Sequence, residues 1–258
     1  GRVSHVGAGV DSSWVGRRVV AVTGDGGGYA EQVVAKVEGL VRIPDRLDTK
    51  DAVAVVHDGT TALGLADSTG FHAGQWTLVT AAGGGLGILL VQLAHAAGAR
   101  VIAAARGRQK LDLALRFGAD TAVDYSEEGW TERVRLATGG AGLDVVFDGA
   151  GGEVGQAAFA LTRRGGRFSA HGAPSGGFTS IDADEAKRRE VTVRGIEQVR
   201  FDPGEVKRKS EWVSRAVSAA AEGRMVPVVG QTFPLERAAD AHAAIETRAV
   251  VGKTLLLV

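Results

Sequence analysis

The chain has 258 residues, more than one average domain, so two structural units are the expectation. Hydrophobic residues make up 45% and charged residues 23%, enough to bury a sizeable core, while 30 basic against 30 acidic side chains remove any overall electrostatic case for a nucleic-acid partner. The absence of cysteine excludes disulfides, thiolate catalysis and cysteine-ligated zinc from this chain, and it fits a reducing, cytoplasmic setting.

The first 45 residues read as short strands and turns. Val3, Val6 and Val10 alternate with glycines, and Arg18-Val19-Val20-Ala21-Val22 has strand character. A glycine-rich turn follows over 24–28, and 31–35 resume an extended pattern. Pro44 breaks it, and Asp48 or Thr49 caps a helix expected over 50–56. From Gly74 the rhythm changes. Strands are expected at 77–81, 100–105, 121–124, 144–148, 166–171 and 191–196, with helices between the first five at 86–97, 108–117, 130–138 and 154–161. Gly98, Gly118 and Gly139 stand just after three of these helices, where a left-handed cap favours glycine. Each strand-to-strand step through a helix implies parallel pairing, and strands apolar on both faces imply a covered sheet. The tail adds a strand near Val226 to Val229, a helix over 235–247 and a closing strand over 253–258.

The fold class expected is therefore α/β, a doubly wound parallel-sheet Rossmann domain over 58–225 inserted in a β-rich unit formed by 1–57 and 226–258. The most apolar window, 86–105, contains Gln92, His95, Gly98 and Arg100, so no membrane span is expected. Two short basic runs, Lys187-Arg188-Arg189 and Lys207-Arg208-Lys209, read as solvated helix faces or turns. The chain opens at Gly1 with neither a methionine nor a signal-peptide pattern, as a fragment would.

The segment with most chemical content is Val79-Thr80-Ala81-Ala82-Gly83-Gly84-Gly85-Leu86-Gly87, a strand end running into a helix. Against the pattern G-x-G-x-x-G it reads Ala82-x-Gly84-x-x-Gly87. Gly84 lets the backbone approach a diphosphate, Gly87 lets the helix pack closely on the sheet, and the helix N-terminus offers N–H groups to anions. The second strand ends in Ala103-Ala104-Ala105, where a binder of NAD carries an acid for the ribose hydroxyls. Arg106-Gly107-Arg108-Gln109-Lys110 follows instead, and cations at that place suit a 2′-phosphate, which points to NADPH.

With these residues in place, the sequence resembles the medium-chain dehydrogenase/reductase superfamily, in its zinc-free NADPH:quinone oxidoreductase-like branch. The resemblance covers essentially the whole chain. It rests on Val6-Gly7-Ala8-Gly9-Val10, Gly59-Thr60-Thr61-Ala62-Leu63, the 82–87 corner, Phe117-Gly118-Ala119-Asp120, Asp124-Tyr125, Val145-Val146-Phe147-Asp148 and Gly252-Lys253-Thr254-Leu255-Leu256. It implies a GroES-like catalytic domain, here partial, around the Rossmann domain, and a homodimer built through the edge strand 191–196. It also implies cofactor-lining positions: Thr61 near the nicotinamide, Gly84, Gly85 and Leu86 at the pyrophosphate turn, and Arg106, Lys110 and Tyr125 around the adenosine phosphate. Gly149 and Ala150 fall on the nicotinamide side, His171, Gly172 and Ala173 in the loop holding the carboxamide, and Arg194 and Lys253 at further cofactor-proximal places. Tyr125 is also readable as a strand-end aromatic, and Lys253 as a surface lysine.

Members of the superfamily begin with about sixty more residues, within ordinary domain sizes, and that part carries substrate-facing groups and most metal ligands of the zinc-dependent relatives. Leu63 stands where many quinone oxidoreductases have tyrosine. His57 falls where zinc-dependent relatives place a cysteine ligand. One ligand is not a metal site, so no metal is expected, and His57 is read as a candidate catalytic residue acting with Asp58 or as a structural histidine. The implied reaction is hydride transfer from NADPH to a small-molecule quinone or α,β-unsaturated carbonyl, with neither membrane nor nucleic acid as partner. An enoyl reductase acting on acyl thioesters and a non-catalytic NADPH-binding protein are the alternatives.

Overall fold

The computed structural model describes every residue except Val22, Gly24, Asp25 and Asp202, with backbone alone at 198, 200, 201 and 203–210. The expected strand end at Val22, the turn residues Gly24 and Asp25, and the side chains of Lys207, Arg208 and Lys209 thus lie outside the described residues.

In chain order, β1 (Val19–Ala21) and β2 (Leu40–Arg42) pair antiparallel and lead into α1 (Thr49–Thr69). An alternating series follows: β3 (Trp76–Thr80), α2 (Gly85–Ala96), β4 (Arg100–Ala105), α3 (Arg108–Arg116), β5 (Thr121–Asp124), α4 (Trp130–Ala137), β6 (Leu143–Asp148), α5 (Gly152–Leu161), β7 (Thr162–Ala170), α6 (Ala183–Arg188) and β8 (Thr192–Gly195). The chain then forms α7 (Ile196–Phe201), α8 (Pro203–Ala221), β9 (Val229–Pro234), α9 (Ala238–Glu246) and β10 (Lys253–Leu257). It divides into two compact units, Gly1–Thr60 with Ser210–Val258, and Thr61–Lys209. In sequence the second unit is an insertion in the first.

The inserted unit is a six-stranded, all-parallel sheet in the order β5-β4-β3-β6-β7-β8. From β3 the chain first winds towards β5, then returns through α4 and winds the other way from β6. Right-handed crossovers put helices on both faces. One face packs Leu78, Ile102, Ala104, Val146 and Phe168 against Val134 of α4, Phe159 of α5 and Ala186 of α6. This is a doubly wound Rossmann sheet, as the strand and helix spacing predicts, with element ends shifted by one to a few residues. Its crevice falls at the C-terminal ends of β3 and β6, where the winding direction reverses.

The other unit departs further from expectation. Residues 3–10 form no strand beyond an isolated Arg2–Arg18 bridge, 31–35 are irregular, and β2 arises instead at Leu40–Arg42. Asp48 caps α1 as expected, its Oδ1 accepting the Lys50 N–H at 2.7 Å. The helix nonetheless runs 21 residues rather than seven. Glycine discourages a helix in isolation, but a Cβ at Gly59 would lie 3.0 Å from the Met225 sulfur and 3.1 Å from the Ala216 Cβ. Packing therefore requires the small residue and holds the helix through it. The same contacts put the second half of α8, with Trp212 and Ala216 fully buried, in this unit, so the units divide at 209/210 where the order of expected elements suggested 225/226. At the other end β9 and β10 pair in parallel around α9.

The basic run at 187–189 is only partly a solvated face. Arg189 is half-buried, donates to the Phe159 and Ala160 carbonyls at the end of α5 and to Thr162 O, and lies over the Phe159 ring. Carbonyls at a helix end lack intrahelical donors, and the guanidinium supplies them.

Candidate functional site

The 81–87 corner is built by close approach. Ala81 takes a left-handed conformation at φ 52°, uncommon for a residue with a side chain, and this turns the chain sharply off β3. A Cβ on Gly87 would stand 2.4 Å from Ala81 O and 2.9 Å from Ala82 Cα, so only glycine lets α2 start this close to the strand. A Cβ on Gly83 would meet the Lys110 Cβ at 2.4 Å, so the Lys110 stem lies directly across that residue. At Gly84 an added Cβ would find only Ala81 O, at 3.4 Å, and its backbone surface is otherwise uncovered. The N–H groups of Gly85 and Leu86 have no acceptor among the described residues, as expected of the first helical turn.

Beside this corner, Arg106 is exposed and Lys110 half-buried. Burial lowers the Lys110 pKa, and the neighbouring Arg106 charge adds to this. No acid stands at the end of β4 itself, but Asp124, ending β5, is close: its Oδ2 accepts the Gly107 N–H at 2.7 Å, and its Oδ1 accepts from Ser126. Burial raises the Asp124 pKa, but the Ser126 and Gly107 donors and Arg106 outweigh this and leave it below its ordinary value. The carboxylate thus anchors the start of α3. Tyr125 is half-buried and packs with Trp130 against the core.

Across the crevice, Gly149 and Ala150 follow β6. The Thr80 hydroxyl donates to Asp148 Oδ1 at 2.8 Å and accepts the N–H groups of Gly149 and Ala150 at 2.9 and 3.1 Å. His171 and Gly172 begin the loop after β7, and both backbone N–H groups donate to Asp148 O, at 2.9 and 3.2 Å. A Cβ at Gly149 would lie 3.0 Å from His171 Nε2, so the imidazole edge lies alongside that glycine. The His171 Nδ1 is buried without a hydrogen-bond partner, and burial pushes the ring pKa down to about 4 against the opposing pull of Asp148. Ala173 is half-buried further along the loop. Arg194 is exposed on the edge strand β8, in register with Ser169.

Gly84, Gly85, Leu86, Arg106, Lys110, Gly149, Ala150, His171 and Gly172 thus come from four strand ends to one edge of the sheet. The residues that tie this edge together, Ala81, Gly83, Thr80, Asp148 and Thr179, were not anticipated. Thr80 and Asp148 carried a usable signal, since each is a polar residue that ends an apolar run, Leu78-Val79 and Val145-Val146-Phe147, directly before small residues.

Thr61 is half-buried on α1, one turn beyond His57. His57, Asp58 and Lys253 belong to the other unit and form a cluster of their own. The Lys253 ammonium donates to Asp58 Oδ1 at 2.8 Å, and His57 Nδ1 lies 3.1 Å from the same oxygen. Asp58 is buried, which raises its pKa, but His57 and Lys253 outweigh this and hold it below the carboxylate range. Lys253 is therefore not a plain surface lysine. Among the described residues no group of three or more His, Cys, Asp or Glu could hold a metal ion, and no helix is long and apolar enough to cross a membrane.

Comparison with known proteins matches residues 85–230 to the family described as zinc-binding dehydrogenase. The described residues supply no donor set fitting zinc, so no chemistry here is routed through that metal. The chain is 31% identical to quinone oxidoreductase-like protein 2 of Bos taurus, over 99% of this chain and 74% of that protein. It is also 31% identical to a 2-haloacrylate reductase of a Burkholderia species, over 99% and 78%. Among solved structures, an Escherichia coli quinone oxidoreductase complexed with NADPH superposes with a TM-score of 0.90 at 28% identity, over 100% of this chain and 80% of that one. The chain belongs to the medium-chain dehydrogenase/reductase superfamily, in its quinone oxidoreductase-like branch.

Proposed function

We propose that the chain is an NADPH-dependent reductase delivering hydride to a quinone or to a C=C bond conjugated with a carbonyl. One observation carries this reading: a corner with an uncovered glycine backbone and two N–H groups lacking acceptors stands beside Arg106 and Lys110. The N–H groups and the helix N-terminus suit a diphosphate, and the two cations suit a third phosphoryl group. NADPH fits that cradle, and when bound it supplies the hydride. The chain's own work is then to hold the diphosphate at Gly84, Gly85 and Leu86 and the 2′-phosphate at Arg106 and Lys110, with Tyr125 beside it. Gly149, Ala150, His171, Gly172 and Ala173 shape the nicotinamide end, and Thr61, Arg194 and Lys253 are assigned to the same cofactor.

His57 is proposed as the polar group serving the acceptor, with Asp58 orienting its ring and Lys253 keeping that carboxylate charged. The likeness to a 2-haloacrylate reductase supports activated C=C bonds as well as quinones. The test is NADPH oxidation by this chain with a quinone, a 2-haloacrylate and a crotonyl thioester. Turnover of the thioester alone would move the assignment to an enoyl reductase, and tight NADPH binding without turnover on any acceptor would favour a non-catalytic binder. The exposed edge strand β8, carrying Thr192, Val193 and Arg194 outward, supports a homodimer paired across that edge. Light scattering at the monomer mass would remove that part of the proposal.

A further inference from the structure

Asp148 is fully buried at the end of β6, and both carboxylate oxygens are occupied. Oδ1 accepts from the Thr80 hydroxyl at 2.8 Å and from the N–H groups of Ala150 and Gly151 at 3.1 Å each, while Oδ2 accepts from the Thr179 hydroxyl at 2.5 Å. The donors come from three segments: the end of β3, the β6-to-α5 turn, and the loop after β7. A buried carboxylate is costly to desolvate, and a well-packed apolar residue would stabilise a strand end as well or better. What the carboxylate adds is direction, since it holds three backbones in one mutual arrangement.

The loop after β7 is also pressed onto the β6-to-α5 turn. The Ser175 N–H donates to Ala150 O and the Gly152 N–H to Gly177 O, each at 3.1 Å. A Cβ at Gly155 would lie 1.8 Å from Thr179 Oγ1, one at Gly151 2.2 Å from Gly177 O, and one at Gly172 2.0 Å from Gly149 O. Missing side chains at three positions thus make room for this seal. It closes the start of α5, because Gly177 O takes the Gly152 N–H that a phosphate would otherwise use. The Gly152 N–H is thereby taken, while at the start of α2 the Gly85 and Leu86 N–H groups have no acceptor among the described residues, so the α2 corner suits the diphosphate and the Asp148 side the ring.

We propose that Asp148 is the positioning residue for the nicotinamide end of the cofactor, fixing Gly149, Ala150, His171 and Gly172 through Thr80 and Thr179 without touching the ligand. The proposal rests on the reading that the crevice binds NADPH. The decisive comparison is between NADPH and 2′-phospho-ADP-ribose, which keeps the phosphates and lacks the nicotinamide, titrated calorimetrically into wild type, Thr179→Val and Thr179→Ser. In Thr179→Val the Kd for NADPH is expected to rise about tenfold, ~1.4 kcal/mol, while that for 2′-phospho-ADP-ribose stays within about twofold. Thr179→Ser, which keeps the hydroxyl, restores NADPH affinity, and Thr80→Val, which cuts the arm to β3, behaves like Thr179→Val. Equal weakening of both ligands, unchanged NADPH affinity in Thr179→Val, or no recovery in Thr179→Ser would overturn the positioning role. Failure of the wild-type chain to bind either ligand would overturn the cofactor reading beneath it.

Discussion

Gly84 and Gly87 stand three residues apart on one corner, and substituting alanine should damage them in opposite ways. At Gly87 the new methyl would sit 2.4 Å from Ala81 O and 2.9 Å from Ala82 Cα, both backbone atoms that no rotamer change can move. Helix α2 must then back away from β3, an overpacking cost of about 1–3 kcal/mol, against which the helix preference of alanine over glycine returns at most ~1 kcal/mol. A net loss of about 1–2 kcal/mol in unfolding free energy is expected for Gly87→Ala. At Gly84 the backbone has φ −82°, open to alanine, and the methyl meets only Ala81 O at 3.4 Å. Stability should stay within about 0.5 kcal/mol. The methyl would, however, occupy the surface assigned to the diphosphate, so NADPH should bind at least about tenfold more weakly, ~1.4 kcal/mol. Urea unfolding and NADPH fluorescence titration on both variants separate the two effects. A folded Gly84→Ala protein with wild-type NADPH affinity would refute the assignment of the corner to phosphate.

Three further outcomes follow from the same geometry. Arg106→Ala and Lys110→Ala each remove a charge-assisted contact worth about 1.5–3 kcal/mol, so NADPH affinity should fall about tenfold or more with NADH affinity unchanged; equal loss for both nucleotides in a titration would count against a 2′-phosphate site. For Asp58, whose folded pKa is lowered, the stabilising contribution is complete above its unfolded value of about 4 and disappears as the pH falls below it. The stability gap between wild type and Asp58→Asn, measured by urea unfolding at pH 7, 5 and 3, should therefore be constant between the first two and shrink at the third. For His171, with a folded pKa of about 4 against an ordinary 6.5, the unfolded chain takes up the proton first, so stability falls as the pH drops from 6.5 towards 4. That slope amounts to about 2–3 kcal/mol and should be absent in His171→Gln. Parallel pH profiles for the two proteins would show that the imidazole is not held neutral.

The inserted unit was legible because its signals are local. Its central strands β3, β4 and β6 carry apolar runs of a few residues, each helix among the first three ends at a glycine, and the 82–87 pattern needs only its own neighbours to be recognised. The surrounding unit was not. Helix α1 runs through Gly59 because Met225 and Ala216, more than 150 residues away in sequence, leave no room for a side chain there. Helix α8 escaped notice although its opening Pro203 and the spacing of Trp212, Ala216 and Ala219 are helical signals, and the unit of its second half is decided by contacts around Gly59 rather than by the order of elements along the chain.

The candidate site divides in the same way. Glycine type and spacing alone marked the corner for phosphate, and the missing acid after Ala105 marked the cationic neighbourhood, because both depend on backbone freedom and charge within a few residues. Which polar groups meet across the crevice was settled only by the parallel sheet. Pairing of β3 with β6 sets Thr80 against Asp148, 68 residues apart, and the loop after β7 brings Thr179 to the same carboxylate. Likewise Lys253 reaches Asp58 across 195 residues. Hydrogen bonds and buried charges are satisfied in space, and sequence separation carries no record of them.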